Sequence, residues 1–145
     1  MENIWILSAN SGRAMIFEAE SPTAPLVQVE ALVNPPARAK QRDLTSDRPG
    51  RTFDSFGMGR HAKAVEVDPK QEEQIRFAKL VADRLEQGRV REAFDRVGLV
   101  AAPEFLGHLR ASLGASLRSA VTFEIDKDYT ALRSEELRAR LPERL

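Results

Sequence analysis

The sequence predicts a single α/β domain, in which a three-stranded antiparallel meander leads into alternating helices and strands that complete a mixed five-stranded sheet. Three observations point there. Two short apolar runs flank an Asn-Ser-Gly turn near the start, the signature of a hairpin. Past residue 67, stretches with helical periodicity alternate with strand-like runs. The length, 145 residues, suits one domain, 1–145, and leaves little room for a second.

Ile4-Trp5-Ile6-Leu7 is almost continuously apolar, as in a strand buried on both faces. Asn10-Ser11-Gly12 supplies the turn, because Asn and Gly tolerate positive φ and Ser bonds locally to backbone. Met15, Ile16 and Phe17 within Arg13–Glu18 form the returning strand. Ser21-Pro22-Thr23-Ala24-Pro25 breaks the chain. Leu26, Val27, Val29, Ala31 and Val33 then predict a third strand, with Gln28 and Glu30 alternating outward. Asn34-Pro35-Pro36 ends it.

The next clear element is a helix from Asp68-Pro69. Asp68 caps free amides, Pro69 suits the first helical position, and Gln71 completes a variant of the capping box. Ile75, Ala78, Val81, Ala82 and Leu85 share a stripe with Phe77 beside it, and Gly88 is placed to stop the helix. Val90–Asp95 reads as a short helical turn. Val97–Ala102 is a buried strand ended by Pro103. Phe105, Leu106, Leu109 and Leu113 keep helical spacing, with Gly114 as the stop. Val121, Phe123 and Ile125 alternate with Thr122, Glu124 and Asp126, a half-exposed strand. Ser134 opens a last helix carrying Leu137 and Leu141, stopped by Pro142. The order is β-β-β-α-β-α-β-α. The right-handed crossover rule then favours strand order 3-2-1-4-5, the ribonuclease H-like arrangement.

Composition bounds the partners. Lys+Arg 22 balances Asp+Glu 22, so a nucleic-acid contact has to come from a local patch. There is no cysteine, which removes disulfides, thiolate catalysis and Cys-ligated metals. The apolar run Ile4–Leu7 is too short for a signal peptide, and no stretch approaches the roughly 20 apolar residues of a membrane span. The expected location is the cytoplasm, with no membrane insertion.

Ala37–Val67 keeps no sustained period, and loops this long inside a compact domain tend to be functional or disordered. Between Arg38 and Lys63, seven cationic side chains (Arg38, Lys40, Arg42, Arg48, Arg51, Arg60, Lys63) face three carboxylates (Asp43, Asp47, Asp54), a local excess of four positive charges. Arginine forks bind phosphate bidentately, and Gly57 and Gly59 let backbone approach a ligand. Phe53 and Phe56 between them suit stacking on bases. Arg48, Arg51, Gly57, Gly59, Arg60, His61 and Lys63 are therefore the candidate anion- or RNA-binding set. The plainer reading stands beside it: Asp47 pairs with Arg48 and Arg51, the aromatics pack, and the glycines make turns.

His61, among loop charges that tune its pKa, is a candidate acid/base or phosphate ligand, against the simpler reading of an exposed loop histidine doing neither. His108 reads as a surface or partly packed side chain. Two separated histidines make no metal site, and no cofactor is expected. Metal-dependent nuclease chemistry needs converging carboxylates, and the first strand, Ile4–Asn10, has none. Asp126 and Asp128 read as turn residues and helix caps. Ser8, Ser11 and Ser46 lie near turns without a nucleophile elbow.

Several fragments together form a pattern: Trp5-Ile6-Leu7, Gly12-Arg13-Ala14-x-Ile16-Phe17, Asp43-Leu44, Ser46-Asp47-Arg48-Pro49-Gly50-Arg51, Arg60-His61, Arg76-Phe77-Ala78, Val100-Ala101-Ala102-Pro103, Leu106-Gly107-x-Leu109-Arg110 and Lys127-Asp128-Tyr129-Thr130. The chain thereby resembles the bacterial host attachment proteins over nearly its whole length. That resemblance implies a role in adherence to host cells, direct or indirect. It is also distantly similar to the middle domain of archaeal and eukaryotic peptide release factors, whose Gly-Gly-Gln loop precedes a long helix. Gly57-Met58-Gly59-Arg60-His61 occupies the corresponding position without that triplet, so ester hydrolysis is not carried over. The expected function is a non-enzymatic binding or accessory protein. The alternative is a ribosome- or tRNA-associated factor acting through the loop, and a hydrolase centred on His61 is a third reading. DNA is not an expected partner.

Overall fold

A computed structural model describes residues 2–35 and 68–145. Strands β1 (Ile4–Ala9), β2 (Arg13–Ala19), β3 (Val27–Val33), β4 (Arg96–Ala101) and β5 (Val121–Ile125) form one sheet in the order β3-β2-β1-β4-β5. The helices are α1 (Pro69–Val90), α2 (Pro103–Ser112), α3 (Ala115–Ala120) and α4 (Ser134–Ala139). The expected architecture and strand order hold. β1 pairs antiparallel with β2 and parallel with β4, and β5 extends the sheet parallel to β4.

The core has two layers because β1, buried along its whole length, feeds both faces. Trp5, Leu7 and Ala9 join Ala14 and Ile16 beneath α1, α2 and α3, which contribute Phe77, Val81, Leu85, Phe105, Leu109 and Leu117. Ile4 and Ile6 face the opposite way with Phe17 and Val100, under Leu137 of α4 and Leu141 and Leu145 of the C-terminal tail. Each such aliphatic side chain contributes about 1.5–3 kcal/mol on burial. The tail is held by hydrogen bonds as well. The Arg138 guanidinium donates to the carbonyls of Ala24, Pro22, Pro142 and Glu143, and the Leu145 amide donates to the Pro22 carbonyl at 2.8 Å.

Several expectations are corrected. Gly88 does not stop α1; it lies buried inside the helix, where a Cβ would come within 2.6 Å of the Trp5 ring. Helix and sheet approach too closely there for any side chain. Val90–Asp95 is no added helical turn: α1 ends at Val90, and the chain reverses through Glu92 at φ 61°. Asp68 caps as expected, its carboxylate accepting from the Lys70 amide at 3.1 Å. α2 ends at Ser112 with Leu113 as its cap, just before Gly114 as expected, but Gly114 also precedes an additional short helix, α3. With Leu117 its single buried residue, α3 has too little apolar period to be read from sequence. The last helix begins at Ser134, and the Arg133 amide is met by the Glu136 carboxylate at 2.9 Å.

The largest correction concerns β3. Its alternating valines were expected to face inward, yet Val27, Val29, Ala31 and Val33 are exposed, and it is Glu30 and Leu32 that turn toward the core. The register explains this. Leu32 lies opposite Ala14 and Glu30 opposite Ile16, on the face that α1 covers, and Glu30 is ion-paired with Arg84 of α1. Ala31 and Val33 lie opposite Met15 and Arg13 on the other face, Val29 is skipped where the register shifts, and Val27, opposite Glu18, returns to the α1 face.

Candidate functional site

Open α/β sheets bind ligands where strands end and connections diverge to opposite sides. In this sheet that place is the carboxyl end of β1 and β4: the chain runs from β1 toward β2 on one side, and β4 continues toward β5 on the other. A crevice of about 400 Å³ lies there, lined by Asn10, Ser11, Gly12, Gln74, Ala102, Glu104, Phe105 and Asp128. Four segments distant in sequence supply it: the β1–β2 turn, α1, the β4–α2 junction and the loop after β5.

Asn10 is the hub. Its carboxamide oxygen accepts from the amides of Gly12 (2.8 Å) and Arg13 (3.0 Å), closing the turn, while its amide nitrogen donates to Asp128 Oδ2 (3.0 Å) and Thr130 Oγ1 (3.2 Å). The other Asp128 oxygen accepts from the Thr130 amide (3.0 Å) and hydroxyl (2.7 Å). Arg13 donates to the Thr130 carbonyl at 3.0 Å. On the far side of the turn, buried Asn34 donates from its backbone to the Gly12 carbonyl and from its side chain to the Ser11 carbonyl, both at 2.9 Å. The β1–β2 turn is thus clamped from the end of β3 and from the loop after β5.

Desolvation raises the pKa of Asp128, but hydrogen bonds from Thr130 and Asn10 and the charge of Arg13 outweigh it, leaving the carboxyl below its ordinary value. It is therefore an anion at neutral pH, suited to accepting hydrogen bonds and poorly suited to delivering a proton. Around this knot the lining adds the Ser11 hydroxyl, the Gln74 carboxamide and the Glu104 carboxylate, the last in the first turn of α2. Ala102 and Phe105 complete the lining with apolar surface. Among the described residues, no group of three or more His, Asp or Glu side chains could hold a metal ion.

Arg48, Arg51, Gly57, Gly59, Arg60, His61 and Lys63 lie outside the described residues, as does all of 37–67. The chain leaves the described part at Pro35, directly after Asn34 of the clamp, and re-enters it at Asp68, six residues before the crevice residue Gln74. Asp128 is the turn residue expected, and His108 is partly packed as expected. Ser8, two residues before the Asn10 turn, is fully buried within β1.

Sequence reading missed Asn10, Thr130, Asn34, Gln74 and Glu104 as members of one site. The available signal was the pair of fragments Gly12-Arg13 and Asp128–Thr130, which are more than 110 residues apart and prove to be hydrogen-bonded neighbours.

The sequence matches, over residues 5–141, the family described as "Protein required for attachment to host cells". No curated protein matches it. Among solved structures it is similar to a type II variant of the Ppx/GppA phosphatase of Aquifex aeolicus, at 12% identity and a TM-score of 0.40, covering 86% of this chain and 35% of that one. A second structure, of the Aquifex aeolicus member of the Ppx/GppA family, gives 13% identity and a TM-score of 0.38, covering 84% and 34%. The chain spans about a third of the length of each, and likenesses this slight do not bear on activity. The similarity to release factors is not shown by these matches.

Proposed function

Because the chain belongs to the family of proteins required for attachment to host cells, we propose that it is a binding or accessory component of bacterial attachment, acting from the cytoplasm and thus indirectly, through the crevice at the carboxyl ends of β1 and β4. One observation carries the choice of binding over chemistry. The two polar groups at the hub of the crevice are spent on fixed bonds: Asn10 uses both carboxamide atoms, and Asp128 accepts three hydrogen bonds while held ionised. Such a network holds a fixed polar surface for a ligand.

The test is complementation of a deletion strain. Gln74→Lys and Glu104→Lys place bulk and charge on the crevice rim, at side chains outside the Asn10–Asp128 network. Under this reading the deletion lowers adherence, the wild-type protein restores it, and the two variants fail to restore it while melting like wild type. Full rescue by both variants contradicts the crevice as the working site. Detection of the protein on the surface of intact cells contradicts the indirect, cytoplasmic route.

A second reading, binding to ribosomes or tRNA, is favoured by one sequence observation: the excess of four positive charges between Arg38 and Lys63. It predicts co-sedimentation with ribosomes that weakens with added salt and with Arg48→Ala, Arg51→Ala and Arg60→Ala together. Purified protein that ignores RNA and ribosomes at low salt removes this reading and leaves the first.

A further inference from the structure

Two asparagines grip the β1–β2 turn, and their tasks differ. Asn10 takes amides: its carboxamide oxygen accepts from Gly12 at 2.8 Å and from Arg13 at 3.0 Å. Asn34, directly after β3, takes carbonyls: its side-chain amide donates to Ser11 and its backbone N–H to Gly12, each at 2.9 Å. Asn10 lines the crevice, whereas Asn34 does not and is only 4% exposed. Pro35 follows Asn34, and a residue before proline is held to extended backbone. The local sequence therefore restricts where Asn34 can place its two donors.

These bonds limit what the turn offers a ligand. The carbonyls of Ser11 and Gly12 and the amides of Gly12 and Arg13 are all bonded within the protein. Both carboxamide atoms of Asn10 are in use as well. The Ser11 hydroxyl also lines the crevice, and it has no hydrogen-bond partner among the described residues. A hydroxyl can both donate and accept, and one carried on a fixed turn meets a ligand with little ordering to do.

We propose that the Ser11 hydroxyl is the turn's hydrogen-bonding contact with the ligand, and that Asn34 is its positioning residue, acting through the Ser11 carbonyl without touching the ligand. The inference rests on the crevice being the working site. Asn34 acts here as a donor and not as a filler of space. An aspartate of nearly the same shape would set a carboxylate oxygen against the Ser11 carbonyl and lose the bond.

The test is complementation of the deletion strain, at matched protein level, with Ser11→Ala, Asn34→Ala and Asn34→Asp. The control is Phe123→Ala, because half-buried Phe123 of β5 lies outside the crevice lining. The first three are expected to fail to restore adherence, and Phe123→Ala to restore it in full while being the less stable protein. In purified protein the two Asn34 variants should speed amide exchange at Gly12 and Arg13 about tenfold, the effect of losing one buried hydrogen bond. Ser11→Ala should leave that exchange unchanged. Restoration of adherence by Ser11→Ala or by either Asn34 variant overturns the proposal. Failure of Phe123→Ala alongside them reduces the effect to stability and overturns it too. Should Gln74→Lys and Glu104→Lys fail while the Ser11 and Asn34 variants restore adherence, the crevice stands as the site and this inference alone falls. Rescue by Gln74→Lys and Glu104→Lys takes down both.

Discussion

The two edges of this sheet are built differently. β5 is five residues long, its exposed positions are Thr122 and Glu124, and Glu124 is held by Arg110 of α2 at 2.7 Å. The hydrogen bond to Glu124, reinforced by its charge, raises the Arg110 pKa further above its ordinary value. The tip of the Phe123 ring lies against Gly98, where a Cβ would come within 2.3 Å of it, so β5 and β4 are in close contact there. β3 is longer, carries its valines outward and has its one charge turned in toward α1. One edge strand is anchored to its own domain through Glu124 and Phe123; the other carries exposed valines among the described residues. The lesson is that an alternating apolar strand need not point its apolar face at the core of its own chain.

That contrast can be broken at either edge. The largest effect belongs to Phe123→Ala, which strips the half-buried ring pinning β5 and is expected to cost about 2 kcal/mol in denaturant unfolding, below the range for a fully buried Phe. The corresponding truncation at the other edge, Val29→Ala, should change the stability of the monomer by less than about 0.5 kcal/mol. Next comes Gly98→Ala, at about 1–2 kcal/mol from overpacking against the ring. In the Phe123→Ala background that cost should vanish, because the two substitutions act on one contact, and a double-mutant cycle reads the coupling directly. Arg84→Ala releases Glu30 at the β3 margin. Both side chains are partly exposed, so the expected loss is below about 1 kcal/mol and shrinks with added salt.

The smallest effect is confined to acid. The Asp128 pKa is lowered in the folded state, so its contribution to stability is present in full above the ordinary value of 3.8 and is lost as pH falls through the lowered one. Asp128→Asn should therefore flatten the dependence of stability on pH below about 4, and pH titration of the melting temperature of both proteins checks it.

Most of the fold was legible in the sequence because its signals are local. The buried run Ile4–Leu7, the Asn10–Gly12 turn, the Asp68-Pro69 helix start and the Pro103 strand stop each act over a few residues, and the crossover rule ordered the strands. What was not legible depends on contacts across the chain. The direction of β3 is set by its register with β2 and by Arg84, more than 50 residues away. Gly88 looks like a helix stop until Trp5 lies against it. The candidate site divides the same way. Asn10 is readable as a turn former, but its second pair of bonds runs to Asp128 and Thr130 near the other end of the chain, which no spacing rule reports. The basic stretch that stood out in the sequence, Arg48 to Lys63, lies outside the described residues, so it informs the function only as charge.

Native-state hydrogen exchange at the two edge strands tests the contrast most directly. The account predicts that Phe123→Ala speeds exchange of the Val121–Ile125 amides while Val29→Ala leaves those of Val27–Val33 unchanged. Equal acceleration at both edges, or none in β5, would contradict it.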